Sequence, residues 1–138
     1  MLIRLLLAGL LLAHAAIHVA FIAPPPPATA GGPSWPFATD DSWLLTRLGI
    51  PADTARLLAG AWFTLTMASF AVAAIVAIGI GPAGLWLPAA TIGALASLAL
   101  LVAFFHPWLV VGLAIDLALL WATLVAGWSP EQLVQSRP

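Results

Sequence analysis

Four stretches of the chain stay apolar over the length a bilayer demands, and the polar residues gather in the connections between them. The runs are Ile3 to Ala23, Arg56 to Ile80, Leu85 to Phe105 and Trp108 to Gly127. Each is long enough, at about 1.5 Å of rise per residue, to cross a hydrocarbon core of about 30 Å. Lipid offers nothing to the backbone, so spans of this kind are expected to be helices rather than open sheets. The short connections Gly79-Ile80-Gly81-Pro82 and His106-Pro107 make neighbouring helices antiparallel. The expected fold is therefore all-α: an integral membrane four-helix bundle of up-down topology, forming a single membrane domain over residues 1–138.

Residues 24–53 form the one sizeable polar stretch, expected as an extramembrane lid between helices 1 and 2. Pro24 to Pro27 must leave the helix and run as stiff polyproline II, and Ala28 to Pro33 is flexible. Trp35, Phe37 and Trp43 bring amphipathic rings back to the interface. Thr39 or Asp40 is the expected cap of a short interfacial helix from Asp41 to Leu48 that stops at Gly49. Pro51 suits the first turn of span two, with Asp53 near its positive end. After Trp128, Ser129-Pro130-Glu131-Gln132 has the form of a helix start, and the tail 129–138 is expected to rest Leu133 and Val134 on the membrane surface.

Composition settles the class: 63% of the residues are hydrophobic, Lys, Arg, Asp and Glu together number nine, and mean hydropathy is +1.11. The net charge of −1 provides no basic surface for nucleic acid. Cysteine is absent, which removes structural disulfides, CxxC relays, thiolate metal sites and iron–sulfur clusters. The expected partners are the lipid bilayer and other membrane subunits. A secretory signal also fits Met1 to Ala15, with Arg4 as positive end, Leu5 to Leu12 as apolar core and Ala13-His14-Ala15 as cleavage site. Retention as a span explains more residues, because the run continues through Ile17, Val19, Phe21 and Ile22. The arginines divide evenly, Arg4 and Arg137 on one side, Arg47 and Arg56 on the other. Both termini are placed in the cytoplasm, with the chain multi-pass in the plasma membrane, because Arg4 directly precedes the first span.

Within the spans, most polar residues read as packing. Thr64, Thr66 and Ser69 can bond back to their own helix. Ala89, Gly93 and Ser97 form a small-residue ridge on span three, and Ala118, Ala122 and Ala126 form one on span four. Asp116 is different, being the one formal charge inside a membrane-length apolar run. An ionised carboxylate at mid-bilayer is costly, so it faces inward, takes a proton or finds a partner. His14 and Asp116 each lie 11 residues from the same end of their spans, roughly 16 Å deep. His18 is one turn beyond His14 on the same face, and His106 sits at the end of span three.

This Asp116, His14, His18, His106 file admits several readings. In one, an Asp–imidazole pair holds two helices in register. In another, the file is a working proton or substrate site, since imidazole titrates near neutral pH. His14, His18 and Asp116 also make a two-His, one-carboxylate metal set, and haem would require His106 opposite His14 or His18. No cofactor is required by any of these patterns, with quinone, haem and metal kept as alternatives.

Four spans, the opening Arg4-Leu5-Leu6-Leu7-Ala8-Gly9 and the Pro/Trp-containing first connection resemble the DoxX-like family of small bacterial membrane proteins. That resemblance implies quinone-linked oxidation or an accessory role in a membrane redox complex, and transfers no site residue. Two functions follow as expectations: a non-enzymatic accessory or small-molecule-binding component of a membrane complex, or a quinone-linked redox or proton-coupled transport module using Asp116 with His14 or His18.

Overall fold

The computed structural model describes residues 1–27, 30–32, 35–39 and 42–132. Helix α1 (Leu2–Ile17) tightens into a 3₁₀ turn at His18–Phe21. A short α2 (Trp43–Arg47) precedes the long α3 (Ala52–Ala77). Helix α4 (Trp86–Ala103) and helix α5 (Val110–Leu120) are each entered through a 3₁₀ turn, and α5 ends in a π turn at Trp121–Val125. No strand occurs among the described residues. Four helical stretches, Leu2–Phe21, Ala52–Ala77, Ala83–Ala103 and Pro107–Val125, are long and apolar enough to cross a membrane.

Local chemistry sets the ends of these elements. Pro51 stays extended and caps α3, so the helix begins at Ala52 and takes Asp53 into its first turn. Helix α2 is capped by Ser42, not by Thr39 or Asp40. The Ser42 hydroxyl accepts from Leu45 N at 3.1 Å and donates to the Ala103 carbonyl at 2.6 Å, a tertiary contact that neighbouring residue types do not reveal. Pro88 sits in the first turn of α4, where its missing N–H costs nothing. In the π turn, Ala126 N reaches back five residues to Trp121 O, while the Thr123 hydroxyl donates to Leu119 O at 2.8 Å. The expected start of the tail is visible as Gln132 N donating to Ser129 O. Leu133, Val134, Asp40, Asp41 and parts of the Ala28 to Pro33 segment lie outside the described residues.

Packing is uneven around the helices. Helix α3 lies along both α1 and α4, and α4 lies along α5. Gly93 makes the α3–α4 approach close, since a Cβ there would stand 2.8 Å from Phe70 Cδ1. At one end of the helices the Arg4 guanidinium covers Gly79, and Trp86 Nε1 donates to Trp128 O at 3.1 Å. At the other end Trp43 Nε1 donates to Val102 O at 2.7 Å, beside the Ser42 bond to Ala103. Two apolar clusters result, one around Leu11, Phe70, Trp86 and Leu119, the other around Phe21, Leu45, Leu100 and Phe104. Helices α1 and α5 do not lie along one another as closely as α1 and α3 or α4 and α5 do, and two cavities of about 420 and 110 Å³ open between them, with Ile115 lining both.

Candidate functional site

Four polar side chains from three helices meet where α1, α4 and α5 face one another. Asp116 of α5 is fully buried, as is Ser97 of α4, and His14 and His18 are 3% and 1% exposed. Helical spacing puts His14 and His18 one turn apart on the inward face of α1 and its 3₁₀ extension. Their rings stand edge to face with centroids 5.1 Å apart. Phe70 packs on the His14 ring and Phe21 on the His18 ring, so each imidazole touches a different apolar cluster. Gly112, one turn before Asp116, packs against Leu101 and the edge of the His14 ring: a Cβ there would lie 2.8 Å from Leu101 Cδ1 and in ordinary contact, at 3.5 Å, with His14 Cε1.

The distances define a connected network. His14 Nε2 lies 2.9 Å from Asp116 Oδ1, and Ser97 Oγ lies 2.5 Å from Asp116 Oδ2. The same hydroxyl is 2.9 Å from His18 Nε2 and 3.3 Å from His14 Nε2. His18 Nδ1 donates to the His14 carbonyl at 2.9 Å. That last bond fixes a proton on His18 Nδ1 and leaves Nε2 to face Ser97. Two arrangements then satisfy every group of the network except His14 Nδ1. Either a carboxylate accepts from Ser97 while a charged His18 donates from Nε2 to Ser97 Oγ, or a neutral Asp116 donates from Oδ2 to Ser97, which donates to His18 Nε2. Both hold the same number of protons and are neutral overall; they interconvert when two protons hop through the Ser97 hydroxyl. A carboxylate beside a neutral His18 would instead set two lone pairs, on Ser97 Oγ and His18 Nε2, against each other across 2.9 Å. In both satisfied arrangements His14 Nε2–H donates to Asp116 Oδ1.

The cavity of about 110 Å³ borders this network. His14, His18, Leu101, Leu109, Gly112 and Ile115 line its inner side. Ile17, Trp108 and Val111, which are 55%, 68% and 65% exposed, form its outer rim between α1 and α5. Phe37, from the connection expected as a lid, also lines it, held by Phe21 edge-on at 5.2 Å and by Trp35 at 5.3 Å.

The candidate residues thus fall into two groups. Asp116, His14 and His18 come together, and Ser97, read from the sequence as one small residue of a packing ridge, is the hub that joins them. Its spacing from Ala89 and Gly93 concealed it; the available signal was a hydroxyl in the middle of an apolar span. His106 stands at the start of the turn into α5, where its Nδ1 accepts from Trp108 N at 3.3 Å and its ring meets Trp108 edge-on. Trp35 and Trp43 do not line the cavity; Trp43 instead ties α2 to α4. Among the described residues no three His, Asp or Glu side chains form a metal-holding group. In this arrangement His18 directs Nε2 to Ser97 and Nδ1 to the His14 carbonyl. On the surface, Ser129 beside Glu131 holds that carboxyl below the usual glutamate value by hydrogen bonding. Comparison with family models, with curated proteins and with solved structures finds no match for this chain.

Proposed function

We propose that the chain is a small multi-pass membrane protein that binds a small, largely apolar molecule on its α1–α5 seam, beside the Asp116–Ser97–His network, as an accessory component of a membrane complex. One observation carries this reading: the cavity of about 110 Å³ has imidazoles on its inner wall and opens between exposed apolar residues that lipid would surround. In this reading the four helices form an up-down bundle, both termini lie on the cytoplasmic face of the plasma membrane, and residues 24–53 form a lid that brings Phe37 over the cavity. The architecture that resembles DoxX-like proteins is in keeping with an accessory role.

Gly112→Ala tests the binding. Its new methyl would stand 2.8 Å from Leu101 Cδ1, the far end of a flexible side chain that also lines the cavity, so the space fills while the polar network stays in place. Organic extracts of the purified wild-type protein are expected to contain a stoichiometric small molecule that the Gly112→Ala extracts lack. Equal content in the two, or none in either, would overturn the proposal.

A proton-coupled module, whether quinone-linked redox or transport, is the second reading, favoured by the unbroken hydrogen-bond chain from Asp116 through Ser97 to His18. Asp116→Asn separates the two. An amide cannot pass a proton on, so the proton-coupled reading requires a folded protein without activity in cells, and the accessory reading requires a folded protein that still works.

A further inference from the structure

We infer that the α1–α5 cavity takes a neutral, mostly apolar molecule carrying a single hydroxyl that donates to Nδ1 of His14. This rests on the small-molecule reading above and goes on to name the ligand's polar group. Both satisfied arrangements of the network commit His14 Nε2–H to Asp116 Oδ1, so Nδ1 of the neutral ring carries a lone pair. No hydrogen bond to that atom is present among the described residues, although the His14 residue is 3% exposed and lines the cavity. An acceptor left without a donor beside an apolar cavity forgoes a hydrogen bond, so the site is incomplete as the protein alone builds it.

Water completes it poorly. The cavity has the volume for several waters, each needing roughly 10–15 Å³ of such space, but a buried water also needs two to four polar partners. Beyond His14, the wall offers His18, whose nitrogens are both engaged, the rim indole of Trp108, and otherwise hydrocarbon and aromatic rings from Ile17, Phe37, Leu101 and Ile115. One acceptor set in an apolar wall is matched by one donor on an apolar body. Carbonyl or ether groups would face the Nδ1 lone pair with lone pairs of their own, and a carboxylate would do the same while adding a net charge to a network that is neutral overall.

Phenol and toluene, alike in size and differing in the hydroxyl, test this in phosphatidylcholine nanodiscs, whose lipids carry no hydroxyl of their own. The readouts are the ¹⁵N signal of His14 Nδ1 and the methyl signals of Leu101 and Ile115. Phenol is expected to move all of them and, after correction for partitioning into lipid, to bind roughly three- to tenfold more tightly than toluene, the factor of one added hydrogen bond. Gly112→Ala is expected to abolish both sets of shifts. If the methyls respond equally to both compounds and His14 Nδ1 stays unmoved, the cavity binds small molecules but the hydroxyl assignment fails. Preference for anisole, which accepts and does not donate, overturns it as well. If neither compound moves any signal, the small-molecule reading and this inference fall together.

Discussion

Asp116 is the residue on which the site turns, and its partners predict what each replacement does. In Asp116→Asn the amide oxygen can accept from His14 Nε2–H while the amide N–H donates to Ser97, which then donates to His18. This reproduces the hydrogen-bond pattern of the neutral acid. Stability in nanodiscs is expected to change by less than about 1 kcal/mol. Asp116→Leu fills a similar volume but leaves the His14 N–H without its acceptor at Oδ1 and is expected to cost about 1–3 kcal/mol in the same unfolding measurement. Ser97→Ala removes the hub, parting Asp116 Oδ2 from His18 Nε2, and should cost a comparable about 1–3 kcal/mol. Equal stability of Asp116→Leu and wild type would mean that these bonds contribute nothing. Asp116 was legible in the sequence because a charge in an apolar span has few places to go. Ser97 was not, because its importance lies in which neighbours it reaches from two other helices.

At the scale of the element, what matters is which pairs of helices close tightly and which stay apart. The α3–α4 contact is tight because Gly93 lets Phe70 lie against the α4 backbone, with Phe70 in turn under the His14 ring. Gly93→Ala would place a methyl 2.8 and 2.9 Å from two atoms of a fully buried ring. The expected loss is about 1–3 kcal/mol, with a shifted His14 signal because Phe70 transmits the displacement; an unchanged stability and signal would refute the tight approach. The small-residue spacing predicted this contact from sequence, since close approach requires it. The π turn at Trp121–Val125 had no such signal. Near the end of the described chain, Ser129→Ala is expected to raise the Glu131 titration midpoint toward the ordinary value, measured by NMR. Because the folded-state value is depressed, the small stabilisation this carboxylate provides is present at neutral pH and fades as pH falls through that value.

For the whole molecule, the contacts at the helix ends bring distant parts of the chain into register. Arg4 lies over Gly79 and Trp86 bonds to Trp128 at one end; Ser42 and Trp43 bond to the end of α4 at the other. The chain has no cysteine, so single cysteines report sidedness without background. In the proposed topology, Ala30→Cys and Phe105→Cys are expected to react with a membrane-impermeant maleimide added outside intact cells. Ile80→Cys is expected to react only after the cells are opened. Labelling of all three from one side would rule out the up-down arrangement, and the reverse pattern would invert the proposed orientation.

Span number, helical class and the oddity of Asp116 were dictated by the sequence, because the backbone in lipid has one economical conformation and a buried charge stands out in any apolar run. Matching depth of His14 and Asp116 followed from counting residues along two helices. Tertiary structure decided the rest: that Ser97 joins both histidines to the acid, that Ser42 caps α2 by reaching the end of α4, and that α1 and α5 leave a cavity between them. These depend on how helices rotate and separate about their axes, and rotation and separation are set by side-chain fit across three helices at once, which no pattern along a single helix contains.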